Sequence, residues 1–319
     1  MDAKSLPIDS RLFSCSPRHR YSLCLILESS RRHNKATMPP AENGAVKNGI
    51  LGPSEAMRVN VVKVLEDSDF QYVRQLCDEH AGWDSVYAKK GRQVWTKPVA
   101  DSSFQMFKAR AEFPDVPASL AYDVLQDPAY RHKWDRYVAK TDDIGIINPY
   151  NDICYYALSS MSPIKPRDFV MQRSWLDTGV EKYICSHSVC HDKYPPIKGY
   201  IRGTVHLTGY FVREVGAGCQ LNYITHSDPR GKLPTWLVNR LTKTIAPRLI
   251  KKLHKACLNY PAWKAANRPH WKPWLNPDQQ SSCPRIDLKE CQPKQYEETI
   301  IDESTLEAAP NDDNDEDDN

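Results

Sequence analysis

From Asp142 to Asp228 the chain repeats one theme, short runs rich in Val, Ile, Tyr, Phe and Thr cut by turn-forming clusters. The runs are "DDIGIIN" (142–148), "DICYYALSS" (152–160), "RDFVMQRSWL" (167–176), "KYICSHSVC" (182–190), "YIRGTVHLTGYFVREV" (200–215) and "CQLNYITHSD" (219–228). β-Branched and aromatic residues suit a pleated, half-buried surface, and "NPYND", "DTGVE" and "VGAG" supply the turns between several of them. Strands joined so briefly pair antiparallel, and one face of the resulting sheet needs a cover. That cover follows at once in "LPTWLVNRLTKTIAPRLIKKLHKACLNYPAW" (233–263), where Leu237, Leu241, Ile245, Leu249, Leu253 and Cys257 form a ladder at spacing four. The ladder predicts a long amphipathic helix, bent at Pro247 and stopped at Pro261.

Ahead of the sheet, "EDSDFQYVRQLCDEHAGW" predicts a helix capped at Asp67 or Ser68, with Phe70, Val73 and Leu76–Cys77 on its apolar stripe and Gly82 as its stop. Strands "RQVWTKPV" and "FQMFKARAEF" follow, the second with Lys108, Arg110 and Glu112 on the same side as Phe104 and Met106. Two short helices, "PASLAYDVLQD" and "PAYRHKWDRYV", each open at proline. Gly203 and Gly209 inside a long strand read as bulges that curve the sheet. The fold class is therefore α+β, a curved antiparallel sheet closed by a long C-terminal helix. Residues 1–62 read as a disordered leader, 63–275 as one domain and 276–319 as a disordered acidic tail. Either Met1 or Met38 serves as the start, since the domain needs nothing from the leader.

Composition narrows the partners. Residues 276–319 carry 14 acids and 3 bases, net −11, while residues 1–275 carry 40 bases and 26 acids, net +14. A basic body with an acidic tail predicts an anionic partner surface. The basic excess lies mostly on the last helix, at Arg240, Lys243, Arg248, Lys251, Lys252 and Lys255, and no nucleic-acid reader motif accompanies it, so a membrane surface is expected instead. Ten cysteines without a CxxC pair read as reduced thiols in a cytoplasmic protein. Cys185, His187, Cys190 and His191 lack a second ligand pair, and no metal or other cofactor is expected. Phosphate-loop, dinucleotide, nucleophile-elbow and zinc-protease motifs are missing, so the chain does not read as an enzyme.

One polar pair stands out in an aromatic segment, "YRHKWD" (130–135). Arg131 and Asp135 are four residues apart, so on a helix they can meet, either as an exposed ion pair or as a buried one. That segment belongs to "DVLQDPAYRHKWD", which together with "KPRDFVMQRSWL", "KYPPIKGYIRG", "LTGY", "DPRGKLPTWLVN", "KKLHKACLNYPAWK" and "HWKPWLNP" resembles the START domain of lipid carriers, within its phosphatidylcholine-transfer-protein subgroup. The resemblance runs from about Leu65 to Pro277, and "IDES" (301–304) extends it into the tail.

The resemblance implies a helix-grip fold around a tunnel that holds one lipid and shuttles it between membranes as a monomer, without covalent chemistry. In the family, the arginine matching Arg131 reaches the lipid phosphate and the aspartate matching Asp135 holds it. Aromatic positions around choline fall on Tyr156, Phe169 and His206, and a neighbouring polar position falls on Thr208. A histidine in that cage implies a site for phosphatidylcholine, phosphatidylethanolamine or both; a sterol or ceramide carrier and a lipid-dependent regulatory adaptor are the alternatives. The family's lid loop falls on "SSMSPIKPR" (159–167), where Met161 and Ile164 would enter the bilayer beside Lys165, with Trp236, Lys251 and Lys252 at the headgroups. The acidic tail is expected to brake membrane contact, folding back on the basic helix or repelling anionic lipid. Ser304, among Asp302, Glu303 and Glu307, is the candidate phosphorylation site.

Overall fold

The computed structural model describes residues 52–100, 104–296 and 301–308. Residues 1–51 of the expected leader and 309–319 of the expected tail lie outside the described residues. Helix α1 (Asp67–Asp78) is followed by β1 (Asp84–Lys89), β2 (Arg92–Lys97), β3 (Met106–Phe113) and α2 (Ala118–Gln126). Strands β4 (Val138–Asn148), β5 (Asn151–Leu158), β6 (Arg167–Asp177), β7 (Glu181–Ser188), β8 (Ile201–Arg202), β9 (Thr204–Val215) and β10 (Gly218–Asp228) come next. The chain then forms α3 (Thr235–Arg240), a π turn (Leu241–Ile245) and α4 (Ala246–Ala266). Among the described residues the sheet order is β1-β2-β3-β10-β9-β7-β6-β5-β4, with β8 parallel to β6. Every neighbouring pair along that order is antiparallel.

Strand alternation divides the apolar side chains between two faces. Cys154, Tyr156 and Leu158 of β5, Phe169 and Met171 of β6, and Tyr210 and Val212 of β9 face an interior shared with α2 and α4. On the opposite face Tyr183, Cys185, Leu207, Phe211 and Ile224 pack under Phe70, Val73 and Cys77 of α1. The irregular alternation of β3 has a physical reason in that arrangement. Lys108 Nζ donates to the carbonyl oxygens of Leu76, Cys77 and Glu79, and Arg110 Nη2 donates to Cys77 O at 2.9 Å. Cations thus close the C-terminal carbonyls that α1 itself leaves unsatisfied.

The closing helix departs from its expected shape. All six ladder residues are buried. A spacing of four drifts by about 40° per step on a regular α-helix, and the π turn at Leu241–Ile245 takes up part of that drift. Pro247 sits in the first turn of α4, where proline is tolerated. Pro261 lies inside the helix, which continues to Ala266, so the expected stop is displaced. Two carboxylates of α2 and its C-cap fix that far end. Asp127 accepts from Tyr260 Oη (2.8 Å) and Lys264 Nζ (2.7 Å), and Asp123 accepts from Trp274 Nε1 (2.8 Å).

Both flanking segments hold more structure than the sequence suggests. Before residue 63, Asn60 N donates to Ser188 O at 2.8 Å, and Ala56 and Met57 are buried. Beyond Pro277 the chain runs back beside β4, with Ile146 N donating to Pro284 O at 2.8 Å and Ile286 N to Ile146 O at 3.0 Å. Gly145 permits that approach, since a Cβ there would lie 2.8 Å from Pro284 O. The segment expected as a helix at 128–138 is only a 3₁₀ turn over Arg131–Lys133 before β4 begins.

Two histidines are expected to make the stability pH-dependent. Burial lowers the pKa of His187, whose Nε2 lies 2.8 Å from Val61 O, and burial followed by the charge of His206 lowers that of His226 to about 4. Between about 4 and the ordinary histidine value of 6.5, the unfolded chain therefore binds protons that the folded chain refuses at His226. Stability is fully present above 6.5 and falls as pH drops through that window. Urea midpoints are expected to be lower at pH 5 than at pH 7.5, and His226→Gln to flatten the difference; equal midpoints in the unmodified protein would contradict this.

Candidate lipid-binding site

Arg131 and Asp135 meet where the α2 connection turns into β4. The turn is closed by Asp135 N donating to Arg131 O at 3.1 Å, and Arg131 Nε donates to Asp135 Oδ2 at 3.2 Å. Their side chains are 2% and 0% exposed, so the pair is buried, not a surface contact. The guanidinium carbon lies 4.0 Å from the centre of the Trp134 ring, and Asp135 Oδ1 accepts from Tyr137 N at 3.2 Å. Tyr137 O in turn accepts from Ser159 N at 2.8 Å, which fastens the turn to the end of β5. A buried cation bonded to the Asp135 carboxylate and stacked on an indole is a fixed positive centre beside an apolar interior.

Register brings three of the other expected residues inward. Tyr156 pairs directly with Phe169 across β5 and β6, their ring centres are 6.1 Å apart, and both are fully buried. Thr208, also buried, donates from Oγ1 to Tyr223 Oη at 3.3 Å. His206 does not join them. The β9–β10 register shifts between His226 and Ser227, which leaves His206 as the extra residue of a bulge. It is exposed and stacks on His226 at 4.6 Å between ring centres, away from the Tyr156–Phe169 pair. The bulge thus falls at His206 rather than at the glycines. Gly203 serves a different purpose, because a Cβ there would lie 2.2 Å from Phe169 Cε1, so the missing side chain leaves room for the cage ring.

The lid loop 159–166 is folded down. Ile164 N donates to Met161 O at 2.8 Å, Ile164 is buried and Met161 is half-buried against the interior cluster. Ile164 is therefore not a projecting tip in this conformation, whereas Lys165 is exposed. Between this loop, the 229–233 loop and the start of the closing helix lies a half-open cleft of about 400 Å³, open solvent at its mouth included, with Leu158, Met161, Ile164, Leu237 and Leu241 on its walls. Trp236 stands half-buried at one side of this mouth, Lys251 is exposed and Lys252 half-buried further along α4, and Ser304 is exposed.

A second buried ion pair escaped sequence reasoning. Arg173 grips Asp152 with two bonds, Nε–Oδ1 at 3.1 Å and Nη2–Oδ2 at 2.6 Å, and its Nη1 donates to Gln126 Oε1 at 2.8 Å. Gln126 Nε2 and Trp175 Nε1 are buried nearby without a hydrogen-bond partner among the described residues. The two charged residues sit on adjacent strands in facing register, Asp152 opposite Arg173. Only that register, invisible in the sequence, could have revealed them.

Comparison with known proteins identifies the family of this fold. The START domain family matches residues 63–264. START domain-containing protein 10 of Mus musculus is 40% identical over 251 residues, covering 78% of this chain and 86% of the relative, and its Homo sapiens counterpart is 41% identical over 241 residues, covering 75% and 82%. The phosphatidylcholine transfer protein of Bos taurus is 26% identical over 185 residues, covering 56% of this chain and 86% of the relative. The crystal structure of human STARD10 superposes with a TM-score of 0.70 at 39% identity, over 75% of this chain and 98% of that one. The curved sheet, the long closing helix and these similarities together place the chain in the START family of lipid-transfer domains.

Proposed function

We propose that this START domain carries one glycerophospholipid, phosphatidylcholine or phosphatidylethanolamine, between membranes, with no covalent step. The observation that carries the reading is the buried Arg131–Asp135 pair beside an apolar interior. A guanidinium there suits a phosphate, and the paired carboxylate offsets the cost of burying the cation before lipid arrives. Tyr156 and Phe169 present ring faces for a quaternary or primary ammonium group, and Thr208 supplies a hydroxyl. With His206 turned away, the cage is two rings, which favours tolerance of both headgroups over strict choline selection. The bovine phosphatidylcholine transfer protein is a relative with a matching cargo. The carrier works as a cytoplasmic monomer that touches membranes at their surface, and each Lys or Arg of the α4 face close to an anionic leaflet adds roughly 1 kcal/mol of attraction. Ser304, with Glu307 three residues on, is a target for an acid-directed kinase in a tail that is already acidic.

Fluorescent lipid transfer from donor to acceptor vesicles tests the reading. Phosphatidylcholine and phosphatidylethanolamine are expected to move faster with protein than without, and faster still to anionic acceptors at low salt. No acceleration of either would reject it. A second reading, a sterol or ceramide carrier, is favoured by the Arg173–Asp152–Gln126 cluster, where Gln126 Nε2 and the nearby Trp175 Nε1, without partners among the described residues, would suit a hydroxyl group. Selective transfer of sterol or ceramide in the same assay would promote it.

A further inference from the structure

The tail does not lie on the basic face of α4 where it is described. Residues 301–306 instead bridge the 229–234 loop, the lid loop and α3, which flank the cleft. Lys232 N donates to Ile301 O and Glu303 N to Lys232 O, both at 2.9 Å, so the segment adds a short strand-like rung to the 229–234 loop. Gly231, at φ +78°, makes this approach feasible, since a Cβ there would come within 2.5 Å of Ile301 O. Glu303 then reaches across to the other jaw. Its Oε1 accepts from Lys165 N at 2.8 Å and its Oε2 from Arg167 Nη2 at 2.6 Å. Further along, Trp236 Nε1 donates to Leu306 O at 2.7 Å, and the Leu306 side chain packs on the interior cluster.

Glu303 is 3% exposed, although its neighbours Asp302, Ser304 and Thr305 are open to solvent. A carboxylate is buried so deeply only where a cation and directed N–H groups compensate, and here both come from the lid loop and the first residue of β6. Arg167 is shared between the jaws, for it also donates to Lys165 O (2.6 Å), Pro229 O (3.1 Å) and Arg230 O (3.3 Å). The lid loop, the 229–234 loop and α3 are therefore tied to one six-residue peptide. Asp302 adds an outer contact to Lys232 Nζ at 3.0 Å.

We propose that Ile301–Leu306 is a latch seated in a peptide-binding groove at the lipid entrance, with Glu303 as its anchor, and that lipid exchange requires its release. The proposal rests on the carrier reading above and adds a resident occupant to its gate. A lipid that must leave between the lid loop and α3 cannot do so while Glu303 bonds both jaws, so the transfer rate is reduced by the fraction of time the latch is closed.

The test uses the full-length chain and two readouts, phosphatidylcholine transfer between neutral vesicles and amide hydrogen exchange. Glu303→Ala is expected to transfer about tenfold faster or more, with faster exchange in 160–166 and 232–237 and unchanged exchange in β5, β6 and β9. A synthetic peptide of residues 297–308 is expected to slow the variant again. A Glu303→Ala protein with wild-type transfer and wild-type exchange in both loops would overturn the latch. Should that variant lose protection in the core strands, Trp236→Phe, which removes the bond to Leu306 O but keeps an aromatic ring, decides by the same readouts. A wild-type chain that moves no phospholipid would reject the carrier reading alone, because loop exchange in the variant still reports whether the latch holds the jaws.

Discussion

Arg131→Ala protein is expected to leave purification with little or no bound phospholipid and to lose about 3–5 kcal/mol of stability, because the buried Asp135 carboxylate would lose its bond to the guanidinium. Loss of lipid and loss of stability must then be separated. The double variant Arg131→Met/Asp135→Leu does so, since replacing both members of a buried pair with apolar groups of similar size is often neutral for stability. It is expected to unfold near the wild-type urea midpoint and still to hold no phospholipid. If it binds phospholipid as the wild type does, the pair is a structural bond of the β4 entry and not the phosphate site. A charged pair at 2% and 0% exposure is costly to keep, and a phosphate on the guanidinium would give that cost a functional return.

The second large effect is expected at Asp152. Asp152→Ala strips Arg173 of both carboxylate bonds while Gln126 Oε1 remains its neutral partner. Destabilisation of about 3–5 kcal/mol is expected, a fall in urea midpoint on the order of 1–2 M for ordinary slopes. Asp152→Leu/Arg173→Met should recover most of that loss. Phospholipid loading in this double variant is expected to match the wild type, because the phosphate is assigned to Arg131. Loading that collapses in the double variant at normal stability would move the polar end of the lipid to the Arg173 cluster.

Much of the fold was legible because it follows local periodicity. Apolar alternation located β4 to β7, β9 and β10, and the four-residue ladder located the closing helix, since both patterns come from which face is buried. The spacing of Arg131 and Asp135 was visible in one short segment, whereas their burial was not fixed by it. What could not be read depends on register and on distant contacts. β1 has an exposed pattern with no apolar face to mark it. Arg173 and Asp152 are ordinary charged residues until β5 and β6 are paired in register. His206 sits at a position the resemblance assigns to the cage, and the bulge beside it turns the ring out. The tail looked structureless because its contacts are made by single residues far along the chain, Glu303 to Arg167 and Leu306 to Trp236 among them, without any repeating pattern. Lys108 and Arg110 blurred the alternation of β3 because they serve the end of α1.

One glycerophospholipid is expected to occupy the interior with its phosphate on Arg131. Native mass spectrometry of the purified full-length protein, with the bound lipid ejected and identified, tests it most directly. A single added mass per chain is expected, released as phosphatidylcholine or phosphatidylethanolamine and missing from Arg131→Met/Asp135→Leu. A sterol or a ceramide in its place, or an interior that stays empty after incubation with phospholipid vesicles, would contradict it.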